Sequence, residues 1–121
     1  MNVRLLRFAL AAMLCTSWQS VSAEITANDL LRGCQELTSG RTLYYHGGLC
    51  LGFLNGIHEM RYYYGDPPYC SPLGADYVQI ARIVAKYLEE HPELLHRLAP
   101  HLAISALSEA FPCGLHRAPP E

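Results

Sequence analysis

Six histidines and five cysteines are the residues of this chain best suited to hold a metal or attack a substrate. His58-Glu59-Met60-Arg61-Tyr62 falls one residue short of H-E-x-x-H, the pattern in which two histidines on one helix face hold a catalytic zinc. Tyr62 stands where the second ligand is needed, so the segment supplies one ligand only. His46 and Cys50 are four apart, a spacing that brings a base and a thiol together on one helix face. That dyad needs a free thiol, and a disulfide at Cys50 removes it. His91, His96 and His101 recur every fifth residue, which turns successive side chains by about 140° on a helix and scatters them. No catalytic residue, metal or cofactor is expected, and a metal-binding envelope protein would rest on these histidines alone.

The cysteines are better read as staples, and the start of the chain says why. Arg4 and Arg7 precede the uncharged apolar run Phe8 to Cys15, and Val21-Ser22-Ala23 places small residues one and three positions before Glu24. This is a secretory leader with cleavage expected after Ala23. The run is about half the roughly 20 apolar residues a spanning helix needs. Leu14 is too bulky for lipoprotein processing at Cys15. Residues 24–121 then form one domain, with a core at about 26–113 and a disordered tail at 114–121. Cys34, Cys50, Cys70 and Cys113 remain, an even set that reads as a disulfide framework in a small exported domain. With 9 Lys and Arg against 11 Asp and Glu, two of those arginines in the leader, no basic block is left for nucleic acid or anionic lipid.

Four cysteines allow three pairings, and helix placement selects among them. Thr26 caps a helix to about Ser39, with Asp29 in its first turn, Leu30, Leu31, Cys34 and Leu37 on one face, and Gly40 ending it. A second helix runs from about Leu43 to Tyr64 and is apolar nearly all round, which predicts the central helix. Its Gly48, Gly52 and Gly56 form a smooth ridge for close packing. Three prolines and two glycines make Gly65 to Gly74 a loop. A third helix from about Ala75 to Glu90 carries Tyr77, Ile80, Ala81, Val84, Tyr87 and Leu88 inward. Pro92 opens a short fourth helix, and Pro100 a last one with Ala103, Ile104, Leu107, Ala110 and Phe111, which Pro112 stops. The expectation is an all-α bundle of four to five helices. Antiparallel packing of the first two pairs Cys34 with Cys50, and antiparallel packing of the third and last pairs Cys70 with Cys113.

Two surfaces stand out for partner binding. Tyr62, Tyr63 and Tyr64 cannot all point inward from one helix, and with Asp66 and Tyr69 they form an aromatic edge beside a proline loop; exposed aromatics suit interfaces. Glu89, Glu90 and Glu93, around His91-Pro92, form an acidic corner.

The strings Cys50-Leu-Gly52-Phe53-Leu-Asn-Gly56-Ile57, Cys70-Ser-Pro72, Val78-Gln79-Ile80 leading to Tyr87-Leu88-Glu-Glu-His91-Pro92-Glu93, and Ala106-Leu107-Ser-Glu-Ala110-Phe111-Pro112-Cys113 resemble the Rap/Tai immunity family. The resemblance covers roughly Cys34 to Cys113. It implies a periplasmic all-helical homodimer that binds and inhibits a peptidoglycan amidase effector of type VI secretion, and no enzyme activity. Tyr62 to Tyr69 and Ser71 depart from the family pattern, so the partner-facing surface has diverged there. The alternative is a small periplasmic helical chaperone or envelope stress protein, in which exposed apolar surface would bind unfolded clients.

Overall fold

The structure is a computed structural model and describes residues 24–41, 44–63 and 65–114. The described residues contain four helices, α1 (Ala27–Thr38), α2 (Tyr45–Met60), α3 (Tyr77–Glu90) and α4 (Ala99–Ala110), with 3₁₀ turns at Arg61–Tyr63 and Pro92–Leu94. The all-α expectation holds. The segment opened by Pro92 is a single turn rather than a helix, and α2 ends at Met60 before the tyrosine run. The leader, Cys15, Tyr64 and the tail beyond Gly114 lie outside the described residues.

The sequence fixes the start of α1 through a reciprocal cap. The Asp29 N–H donates to the Thr26 hydroxyl at 3.3 Å, and the Thr26 N–H donates to the Asp29 carboxylate at 3.0 Å. The Thr26 hydroxyl also donates to that carboxylate, and these side-chain and backbone bonds hold the Asp29 pKa below its ordinary value. From that start, Leu30, Gly33, Cys34 and Leu37 are carried inward on one face.

The central helix is α1, not α2 as its apolar composition suggested. It packs against α2, α3 and α4, whereas α2 buries only Gly47, Cys50 and Leu54. The glycine ridge is also relocated. Cβ atoms built on Gly52 or Gly56 meet nothing within 4 Å, and Gly48, Gly52 and Gly56 are all exposed. The close helix contact is made instead by Gly33 of α1, where a Cβ would overlap the backbone carbonyl oxygen of His46. Opposite effects follow for the same substitution. Gly52→Ala is expected to stabilise by about 0.5–1 kcal/mol, the helix-interior cost of glycine, while Gly33→Ala forces α1 and α2 apart and destabilises by about 1–3 kcal/mol, as overpacking does. Urea unfolding measures both, and shifts of the same sign would contradict this packing.

Two disulfides close the bundle in the expected pairing, Cys34 with Cys50 and Cys70 with Cys113. Between them the proline loop folds back over the end of α4. The Cys70 N–H donates to the Phe111 carbonyl at 2.8 Å, and the Ser108 hydroxyl donates to the Pro68 carbonyl at 2.8 Å. This return drives Tyr69 into the core, where it is 1% exposed among Leu30, Leu54, Ile80 and Leu107 of the same cluster. Asp76 caps α3 by accepting from the Gln79 N–H at 2.7 Å. No side chain caps α4. Its start is held by backbone bonds to the entering chain, with the Ala99 N–H donating to Ile25 and the Ala27 N–H to Arg97 at 2.9 and 2.8 Å.

Candidate functional site

The aromatic edge exists, but its members have different fates. Tyr62 and Tyr63 lie on the 3₁₀ turn that ends α2 and are 66% and 84% exposed. Asp66 is exposed on the loop that follows. Tyr69 is a core residue, which corrects its assignment as a surface anchor: the loop carrying it is pulled inward by its bonds to α4. The acidic corner sits at the other end of α3. Glu89 accepts from the Gln35 amide at 2.8 Å, Glu90 lies 3.8 Å from Lys86, and Glu93 is exposed. Tyr77 at the first turn of α3 touches the aromatic side, and the acids occupy its last turn and the 3₁₀ turn that follows, so a helix length of about 20 Å separates the two patches. They do not form one edge.

Beneath the exposed tyrosines is a ring cluster that spacing in the sequence did not reveal. His58 lies 6.0 to 6.4 Å, ring to ring, from Tyr77, Tyr62 and Tyr69. One turn on, the Arg61 guanidinium stands 4.8 Å from the centre of the Tyr62 ring and 5.7 Å from that of Tyr69. It donates to the Tyr62 hydroxyl at 2.9 Å and to the Ser71 hydroxyl. The aromatic faces and these hydroxyls hold its charge by cation–π contact and hydrogen bonds, with no carboxylate in ion-pair reach among the described residues. The His58 Nδ1, the Arg61 Nε and the Tyr69 hydroxyl are buried with no hydrogen-bond partner among the described residues. Burial raises the Tyr69 pKa.

Burial in this cluster, with the nearby Arg61 charge, lowers the His58 pKa below its ordinary value. The folded state therefore favours neutral His58, and the unfolded state binds the proton first as pH falls. The contribution to stability is complete above the unfolded value near 6.5 and declines as pH drops from there towards the lower folded value. Melting temperature is expected to decrease between about pH 7 and about pH 5.5, and His58→Phe to flatten that segment of the curve. An identical slope in parent and variant would remove His58 from the account.

The other histidines are dispersed. His91 stacks on Tyr87 with 4.3 Å between ring centres and places its Nδ1 2.7 Å from the Tyr87 carbonyl, at the end of α3. His96 and His101 border a surface hollow with Glu24. Among the described residues no group of three or more His, Cys, Asp or Glu side chains is placed to hold a metal ion. The Cys50 sulfur is bonded to Cys34, so His46 has no thiol to activate.

The exposed face of α2 was also missed. Gly52 and Gly56 floor an apolar groove of about 420 Å³ with Phe53, Ile57, Pro100 and Ile104 along its sides. The signal was present in the glycine spacing, but its meaning depends on what lies opposite. Among the described residues, the exposed tyrosine turn and this groove are surfaces open to a protein partner. In comparisons with known proteins, the family model of the Rap1a immunity proteins matches residues 26–113. No curated protein and no solved structure matches.

Proposed function

Since this chain belongs to the Rap1a immunity proteins, we propose that it acts in the periplasm as the inhibitor of a peptidoglycan amidase delivered by type VI secretion. It does so by filling the amidase cleft with a rigid edge, and it works as a homodimer. Membership in the family implies an immunity protein that binds a secreted effector protein; the amidase, the cleft and the dimer are the finer reading. Two disulfides suit an oxidising compartment, and no helix among the described residues is long and apolar enough to cross a membrane.

The observation that carries the cleft reading is the 3₁₀ turn with Tyr62 and Tyr63 outward, tied through Arg61 to Ser71 beside the Cys70–Cys113 staple. A pre-ordered edge loses little entropy on binding, and aromatic anchors commonly account for 2 kcal/mol or more when truncated. The acids Glu89, Glu90 and Glu93, a helix length away, would meet a partner only as rim charges, which tune association rate and salt dependence.

Periplasmic expression of a type VI peptidoglycan amidase lyses its host, and co-expression of this chain is expected to restore growth. Failure to rescue against a panel of such amidases would count against the reading. Tyr63→Ala is expected to weaken binding of the rescued amidase by about tenfold or more with the melting temperature unchanged. Parent-like affinity in that variant would exclude the tyrosine turn as the inhibitory edge.

A further inference from the structure

The open glycine face of α2 points to a second contact. Among the described residues nothing requires glycine at positions 52 and 56, since a Cβ at either meets no atom within 4 Å and neither has a positive φ. What the missing side chains provide is a floor at backbone level, which only an outside group can use. The walls are apolar, and Met60 at one end is 51% exposed. The volume of about 420 Å³ falls within the roughly 300–1,000 Å³ of sites that enclose a ligand.

Arg61 closes the same end. It borders both this groove and a smaller hollow of about 220 Å³ that Tyr62, Tyr69 and Ser71 share with it. Among the described residues its charge has no carboxylate partner, and its Nε is buried without an acceptor. A cation held at the end of an apolar trough by hydroxyls and ring faces, with no carboxylate among the described residues, favours a ligand with apolar bulk and one negative group, because that group gains a charge-assisted bond there. A second copy of the same face fits poorly: two troughs laid floor to floor enclose a void, and two Arg61 side chains bring no negative charge.

We propose that this groove seats a protruding apolar segment of the partner protein, with an aspartate or glutamate of that segment paired to Arg61. This rests on the reading that the partner is a protein, and it assigns a contact on the open face of α2 that meets the tyrosine turn at Arg61.

Random dodecapeptides displayed on phage and selected on the disulfide-bonded protein test the groove without any amidase. The selected peptides are expected to combine apolar residues with an acid. A labelled representative should bind Gly52→Leu and Gly56→Leu about tenfold or more weakly, while both variants melt no lower than the parent. Changing the peptide acid to its amide should cost about fivefold or more against the parent and nothing against Arg61→Met, the signature of a direct pair. Failure to select peptides, selected peptides without an acid, or unchanged binding by both leucine variants would overturn the proposal. Sedimentation showing a dimeric parent and a monomeric Gly56→Leu would also overturn it, as would full amidase protection by Gly56→Leu. Loss of amidase rescue by the parent, with peptide selection intact, would overturn the amidase reading and leave the groove.

Discussion

Tyr69→Ala is expected to cost about 3–5 kcal/mol of stability, the loss found when a large aromatic is truncated in a core. Tyr69 is among the largest fully buried side chains, and its loop is fixed by the Cys70 disulfide and the bonds to Phe111 and Ser108, so the site cannot collapse freely around the void. Tyr69→Phe separates packing from polarity. The hydroxyl is buried without a partner among the described residues, and an unsatisfied buried group is a cost rather than a gain, so the phenylalanine variant is expected to match or exceed the parent. Urea midpoints for the two variants decide the matter. An alanine variant as stable as the parent would return Tyr69 to the surface.

The two disulfides are expected to separate under a mild reductant. Cys34 and Cys50 are wholly buried between α1 and α2, whereas Cys113 is exposed and Cys70 partly so. Thiol–disulfide exchange requires access to a sulfur, so the Cys70–Cys113 bond should open first in the native protein, with the inner bond persisting until global unfolding. Alkylation followed by mass spectrometry reports the order. Loss of the outer bond, which closes a separation of 43 residues, should cost about 4 kcal/mol in the chain-entropy model, against about 3 for the inner one at 16. Either is a large share of the 5–15 kcal/mol of a typical domain. Simultaneous reduction of both would show that the proline loop and the α1–α2 pair unfold as one unit.

These expectations show which features sequence can carry. The Thr26–Asp29 cap, the inward stripe of α3 and the pairing of the cysteines depend on short spacings or on hairpin geometry, and all were readable. Tyr69 was not, because its burial is decided by a segment some forty residues later that folds beneath it. Glycine spacing in α2 gave the correct face and the wrong neighbour: periodicity locates a smooth strip but does not say whether a helix covers it. Gly33, alone in α1 and without a periodic partner, gave no signal, although it makes the close approach. The His58–Arg61 cluster was hidden for a similar reason, since His58 looked like half of a metal motif until Tyr69 and Tyr77 arrived from outside the helix.

The backbone clasp between Ile25–Ala27 and Arg97–Ala99 has a consequence for the order in which the chain folds. The helix at the centre of the bundle is the first of the four described helices along the chain, and the stretch that locks its start, Arg97–Ala99, comes after α3. Until α3 and α4 pack, Leu30 and Leu37 have only the α2 hairpin to cover them. That hairpin is local and carries its own short disulfide loop, so it can close early and hold the nascent chain in register. The outer disulfide, between cysteines 43 residues apart, and the clasp between Thr26 and Leu98 close over longer stretches of chain and must wait. Before α3 and α4 pack, the molecule is a stapled two-helix precursor with an exposed apolar stripe, the kind of partly folded species that aggregates unless it is shielded.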